Sequence, residues 1–177
     1  MKIAISMAAL VGGILVIAGA VNAEEPAAPY PLDSIPEKMP FSTPYGAPIS
    51  LERADAAIKA AVAEAGKKRW PMNVAVVDSG GNLIAFARMD GAQLASIAVS
   101  EHKARAAVTF RRPTKAFEEA IQKSGSNYIL TLDGVIGSRG GIPLIVDGRI
   151  IGAIGCSGGA GSQDELVCSA GAATINK

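Results

Sequence analysis

Asp147-Gly148 stands between two apolar runs in IPLIVDGRIIGAIGCS, residues 142–157. Both residues accept positive φ, which the tight turn matching the twist of paired strands demands, so this stretch predicts a β-hairpin. A second β-prone pair, Met72–Asp78 and Asn82–Met89, is joined by Ser79-Gly80-Gly81 and predicts another. Two hairpins direct a chain towards antiparallel pairing, because parallel neighbours need a long crossover. Between and around them run helical patterns. Ser50 is the expected N-cap of SLERADAAIKAAVAEAGKK, where Leu51, Ala54, Ile58, Ala61, Val62 and Ala65 recur at helical spacing and Gly66 supplies a stop. A second helix is expected from Ser96 to about Phe110, ended by Arg111-Arg112-Pro113 because the residue before proline avoids the α region. Thr114 is the expected cap of a third, with Glu118 and Glu119 early and Lys123 late, as the helix dipole favours. Ser162-Gln163-Asp164-Glu165 reads as a capping box opening the last helix. NYILTLDG is a short strand or loop. The order implies an α+β fold, a central antiparallel sheet of about five strands flanked by helices.

The N-terminal region is different in kind. Lys2 precedes an apolar block from Ile3 to Ala20, and Val21-Asn22-Ala23 is followed at once by Glu24-Glu25-Pro26. This pattern is a secretory signal over residues 1–23 with a small-x-small cleavage site. A membrane anchor is the competing reading, since the block approaches the roughly 18-residue lower limit for a span. Cleavage would leave 177 − 23 = 154 residues, the size of one domain, in the periplasm or outside the cell, with no stable membrane insertion. It also removes one of 17 basic residues and none of 16 acidic ones. A neutral mature chain has no electrostatic footprint for nucleic acid and no basic run to hold anionic lipid. It also lacks the self-repulsion that opposes self-association. Seven of the ten prolines lie between Pro26 and Pro48, so residues 24–49 read as an extended arm or linker before a domain over 50–177. That arm is either a disordered spacer or a strap across a partner subunit, with Tyr30, Phe41 and Tyr45 as anchors.

Three chemical motifs compete near the second hairpin. GCSGG, Gly155–Gly159, differs by one letter from the nucleophile stretch of trypsin-like proteases. The sole histidine, His102, falls in a predicted helix, and the chain is too short and too helical for a two-barrel protease, so Ser157 is read as structural. The glycines lack the Lys-Ser or Lys-Thr and the spacing of phosphate loops. The helix start beyond them remains able to take a carboxylate. Cys156 and Cys168 either pair in an oxidising compartment or are two small buried hydrophobes. With one histidine and two cysteines, a closed four-ligand zinc site lacks its usual ligands.

Three blocks in order, NVAVVDSGGNLIAFARMDGA, SIAVSEHKARAAVTFRRPT and GGIPLIVDGRIIGAIGCSGG, resemble the GlcG/HbpS family of haem-binding proteins. The same module is similar to the C-terminal domain of PduO-type proteins, and the resemblance runs from about Ser50 to Ala173. It implies a profilin-like three-layer module with an antiparallel sheet, homo-oligomers, and haem as cofactor in some members. Haem needs an apolar slot, an axial ligand and cations for two propionates. The second helix offers His102 as metal ligand beside the small or slender Ala98, Val99, Ala106 and Thr109. Thr109, Thr114 and Met89 are alternative axial groups, and Lys103, Arg105, Arg111 and Arg112 are candidate propionate partners. Ordinary roles stand beside these: His102 exposed or ion-paired, Thr114 a cap, Arg105 and Arg112 paired with Glu118, Glu119 or Asp90.

Three functions follow. The first is an exported protein that senses, sequesters or carries haem without catalytic machinery. The second is a small enzyme using Asp78, Asp147 or His102, although both aspartates fall at predicted turns. The third is a self-associating accessory protein that binds a small organic acid at the Gly155–Gly161 helix start.

Overall fold

The computed structural model describes Ile35 and residues 37–176; the expected signal segment and Tyr30 lie outside the described residues. Helix α1 spans Leu51–Lys68 and is capped by Ser50, whose Oγ accepts from Arg53 N at 3.4 Å. Gly66 is not its end. The helix runs two residues further, and Arg69 takes the left-handed position (φ 57°), its N–H bonding Gly66 O at 3.1 Å while Trp70 N reaches Ala65 O. The last carbonyls are satisfied without glycine at the left-handed position.

Strands β1 (Asn73–Asp78), β2 (Leu83–Arg88), β3 (Gly141–Val146) and β4 (Arg149–Ser157) form one sheet in the order β2-β1-β4-β3, antiparallel throughout. Both predicted hairpins form, and the β1–β4 pairing, Asn73 opposite Ser157 through Asp78 opposite Gly152, joins them. The sheet has four strands, not about five. NYILT, Asn127–Thr131, is a 3₁₀ turn with Tyr128 and Leu130 exposed. A physical reason lies at the β3 edge. Pro143 has no N–H to give, and Asn176 occupies neighbouring groups, its Oδ1 accepting from Ile145 N at 2.7 Å and its Nδ2 donating to Pro143 O at 3.1 Å.

The strand period of two separates two cores. Val74, Val76, Ile154 and Cys156 face α1 and α4 (Gly161–Ala172), while Ala75, Val77, Ile150 and Ala153 face α2 (Ala95–Thr109). Gly155 sets how close α2 comes, because a β-carbon there would run into Ser100 O and Ala104 N. With Ser96, Ser100, Lys103, Ala104 and Ala107 turned inward and buried, α2 presents Ala98, Arg105 and Thr109 to the outside. Cys156 and Cys168 form a disulfide between β4 and α4, with Cα atoms 5.5 Å apart and both residues fully buried.

Two expected caps are replaced. Thr114, buried, precedes α3 (Lys115–Ser124) but makes no side-chain cap; its Oγ1 accepts from Gly141 N at 2.9 Å and its own N–H donates to Gly141 O at 3.0 Å. The strand start outcompetes the helix start for that hydroxyl. Nor does Ser162 cap α4, which begins one residue earlier, where Gln163 Oε1 accepts from Ala160 N at 2.8 Å.

The root of the arm belongs to the fold. β1 ends opposite Gly152, and beyond it Pro44–Ile49 bonds to β4: Ile150 N to Pro44 O, Gly46 N to Ile150 O and Ile49 N to Ile151 O, all 2.8–2.9 Å. Ile49 is buried in the α1-side core. Among the described residues no helix is long and apolar enough to cross a membrane.

Candidate functional site

The break between α2 and α3 gathers the predicted binding residues unevenly. Phe110 N still reaches Ala106 O, but Arg111 turns left-handed (φ 54°) and Arg112 N folds back to Ala107 O, so Thr109, Phe110, Arg111 and Arg112 all border one groove. Met39, Pro40, Phe41 and Ser42 of the arm form its other wall, and the space between is about 410 Å³. Phe41 and Tyr45 are anchors, as expected, but on their own chain. The Phe41 ring lies 3.4 Å from the Arg112 guanidinium carbon, and the Tyr45 ring 5.0 Å from that of Arg111. The Tyr45 hydroxyl lies 3.0 Å from both the Val108 and Thr109 carbonyls, to which it donates.

Arg112 also lies 5.2 Å from the Phe117 ring, and its Nε donates to Phe110 O at 3.1 Å. Burial pulls its pKa below the ordinary arginine value, partly countered by Tyr128. Arg105 is exposed and pairs with Glu101 at 2.8 Å, one helical turn back, rather than with Glu118, Glu119 or Asp90. Glu101 is thereby occupied, and its neighbour His102 stands half-buried about two turns before Thr109. Thr109 is exposed at the groove.

Other candidates lie elsewhere. Met89 packs on the α1-side core, across the sheet from α2. Thr114 is buried in its bond with Gly141. Lys103 is 1% exposed, its Nζ 2.7 Å from Asp164 Oδ2 and 3.3 Å from Cys156 O, so it is no propionate partner. Asp164 Oδ1 also accepts from Gly158 N (3.1 Å) and Gly159 N (3.0 Å). Two loop amides just before α4, within the Gly155–Gly161 stretch read as a carboxylate site, are therefore taken by a carboxylate of the chain itself. Ser157 is buried, its Oγ 3.1 Å from Ser96 Oγ. Asp78 serves its turn, accepting from Gly80 N at 2.8 Å and Asn82 N at 2.9 Å, and Asp147 sits at its hairpin turn with φ 49°.

Sequence reasoning missed the Lys103–Asp164 pair and the Arg139 clamp, in which Arg139 bonds Glu118 at 2.7 Å and Glu165 at 3.2 Å. A signal for the first was present: Lys103 falls on the helical stripe of Ser96, Ser100 and Ala107 that faces the sheet. The Arg139 contacts span 21 and 26 residues, and no local pattern announces them.

A family model described as "Haem degrading protein HbpS-like" matches residues 49–173. The chain belongs to the HbpS-like family. Its HbpS-like sequence is 41% identical to Protein GlcG of Escherichia coli K12 over 109 residues, 62% of this chain and 81% of GlcG. Among solved structures, a double Glu-to-Asp variant of Streptomyces reticuli HbpS is similar at TM-score 0.69 and 30% identity, over 81% of this chain and 97% of that one. A PduOC–haem complex is similar at TM-score 0.66 and 29% identity, over 73% and 96% of the two chains. Haem binding thus occurs within the HbpS-like fold.

Proposed function

We propose that this chain is an exported haem-binding protein that senses, sequesters or carries haem. One observation carries the reading: the corner groove combines an apolar lining from Pro40, Phe41 and Phe110 with Arg111 and Arg112, neither of which has a carboxylate partner among the described residues. Those are the components that hold a flat, dianionic macrocycle. Bound haem would supply a redox-active iron. Of this chain's residues, His102, about two turns before the groove rather than in its lining, would be the iron ligand we favour, with Thr109 at the groove the next, and Thr114 would first have to give up Gly141. Arg112 and Arg111 would hold the propionates, and Arg105 lies further out, tied to Glu101.

Export is supported by the segment before Glu24 and by a buried disulfide, which is at home in an oxidising compartment. Homo-oligomerisation is supported by the neutral mature chain, which lacks self-repulsion. Titration of Glu24–Lys177 with ferric haem should give a saturable Soret shift, lost in His102→Ala, with the oligomer's mass measured alongside. A shift that survives the substitution moves ligation to a residue such as Thr109. Weak, non-saturating binding would sink the haem reading.

A further inference from the structure

Arg111 and Arg112 are neighbours in sequence, and long side chains of adjacent residues ordinarily diverge. Here both border the same groove, and each guanidinium lies over a ring supplied by the arm, Tyr45 for Arg111 and Phe41 for Arg112. A ring beneath a guanidinium covers its face and leaves the in-plane N–H donors available. Arg112 spends Nε on Phe110 O, which keeps its two terminal nitrogens for a ligand. The arm is itself held: the Tyr45 hydroxyl bonds the carbonyls ending α2, and Pro44–Ile49 pairs with β4.

We propose that Phe41 and Tyr45 are positioning residues that set Arg111 and Arg112 side by side as a receptor for a ligand carrying two carboxylates. For the natural ligand this rests on the haem-binding reading. Orienting a free arginine on binding costs side-chain entropy, and the stacked rings remove part of that cost before the ligand arrives. Specificity for a dianion over its neutral ester comes from this pair. The Lys103–Asp164 centre takes no part, because its charges already satisfy one another.

The test uses the mature chain with two probes of the same ring and iron, ferric haem and its dimethyl ester, whose carboxylates are masked. In the unmodified chain the ester should bind at least about tenfold more weakly, equivalent to about 1.4 kcal/mol. Phe41 also lines the groove, so Phe41→Ala weakens both probes, and the ratio between them is the readout. That ratio should fall towards one in Phe41→Ala and return in Phe41→Tyr. Equal binding of the two probes by the unmodified chain overturns the proposal, as does a ratio that Phe41→Ala leaves unchanged. If neither probe binds saturably, the haem reading fails separately and an iron-free dicarboxylate, glutarate, becomes the probe. Movement of the Arg111 and Arg112 Nε–H signals in ¹⁵N spectra, lost in Phe41→Ala, then supports the receptor, and unmoved signals overturn it.

Discussion

Lys103 shows how far a single residue can depart from its neighbourhood. Between His102 and Ala104 it reads as a candidate propionate partner, yet it is 1% exposed and bound to an Asp164 that is also buried. Removing one partner of such a pair leaves the other charged, buried and unpaired. Lys103→Met should therefore cost about 3–5 kcal/mol, measured from urea unfolding at neutral pH. Adding Asp164→Leu should not recover the whole loss, because Gly158 and Gly159 would then have lost their acceptor. A cost below about 1 kcal/mol for Lys103→Met would show that the pair does not form. The stripe of Ser96, Ser100 and Ala107 carried the information that position 103 faces inward. Charge argued the other way, and the deciding partner lies 61 residues distant.

At the scale of elements, the local signals were the dependable ones. Asp147-Gly148 and Ser79-Gly80-Gly81 each close a hairpin because turn geometry is settled by a few adjacent residues. In the first hairpin Asp78 does the closing. Burial raises its pKa, but hydrogen bonds from Asn82, Gly80 and Gly81 outweigh this and hold it below the usual carboxylate range. A folded-state pKa below the unfolded one means stability that is present above about pH 4 and is lost as the pH falls through the folded-state value. Asp78→Ala should cost about 1 kcal/mol at pH 7 and progressively less in acid, seen in denaturation midpoints across a pH series. A pH-independent difference would remove the carboxylate from the account. Caps were less legible than turns, for a definable reason. Thr114 had two possible partners, and the distant Gly141 took precedence over its own helix.

At the scale of the whole molecule, the arm divides at Pro44. Residues 44–49 complete β4 and bury Ile49, whereas Met39–Ser42 wall the groove. Starting the chain at Pro44 should change stability by less than about 0.5 kcal/mol while altering ligand binding. Starting it at Ser50 should cost about 2–5 kcal/mol by thermal or urea unfolding, through the lost Ile49 packing and unpaired groups on Ile150 and Ile151. Similar losses from both truncations would show that the division is wrong. The sequence by itself determined the hairpins, the antiparallel sheet, the four helices and the family, because each rests on spacing within a short window or on blocks in fixed order. It also brought Thr109 and Arg112 near one another, since a helix end and a proline break suffice for that. Only the tertiary structure decided that Cys156 meets Cys168, that the sheet stops at four strands, that Lys103 turns inward, and that the arm lies on its own α2–α3 corner. Each of those depends on distances between groups far apart along the chain, which exist only once the sheet has brought its two hairpins together.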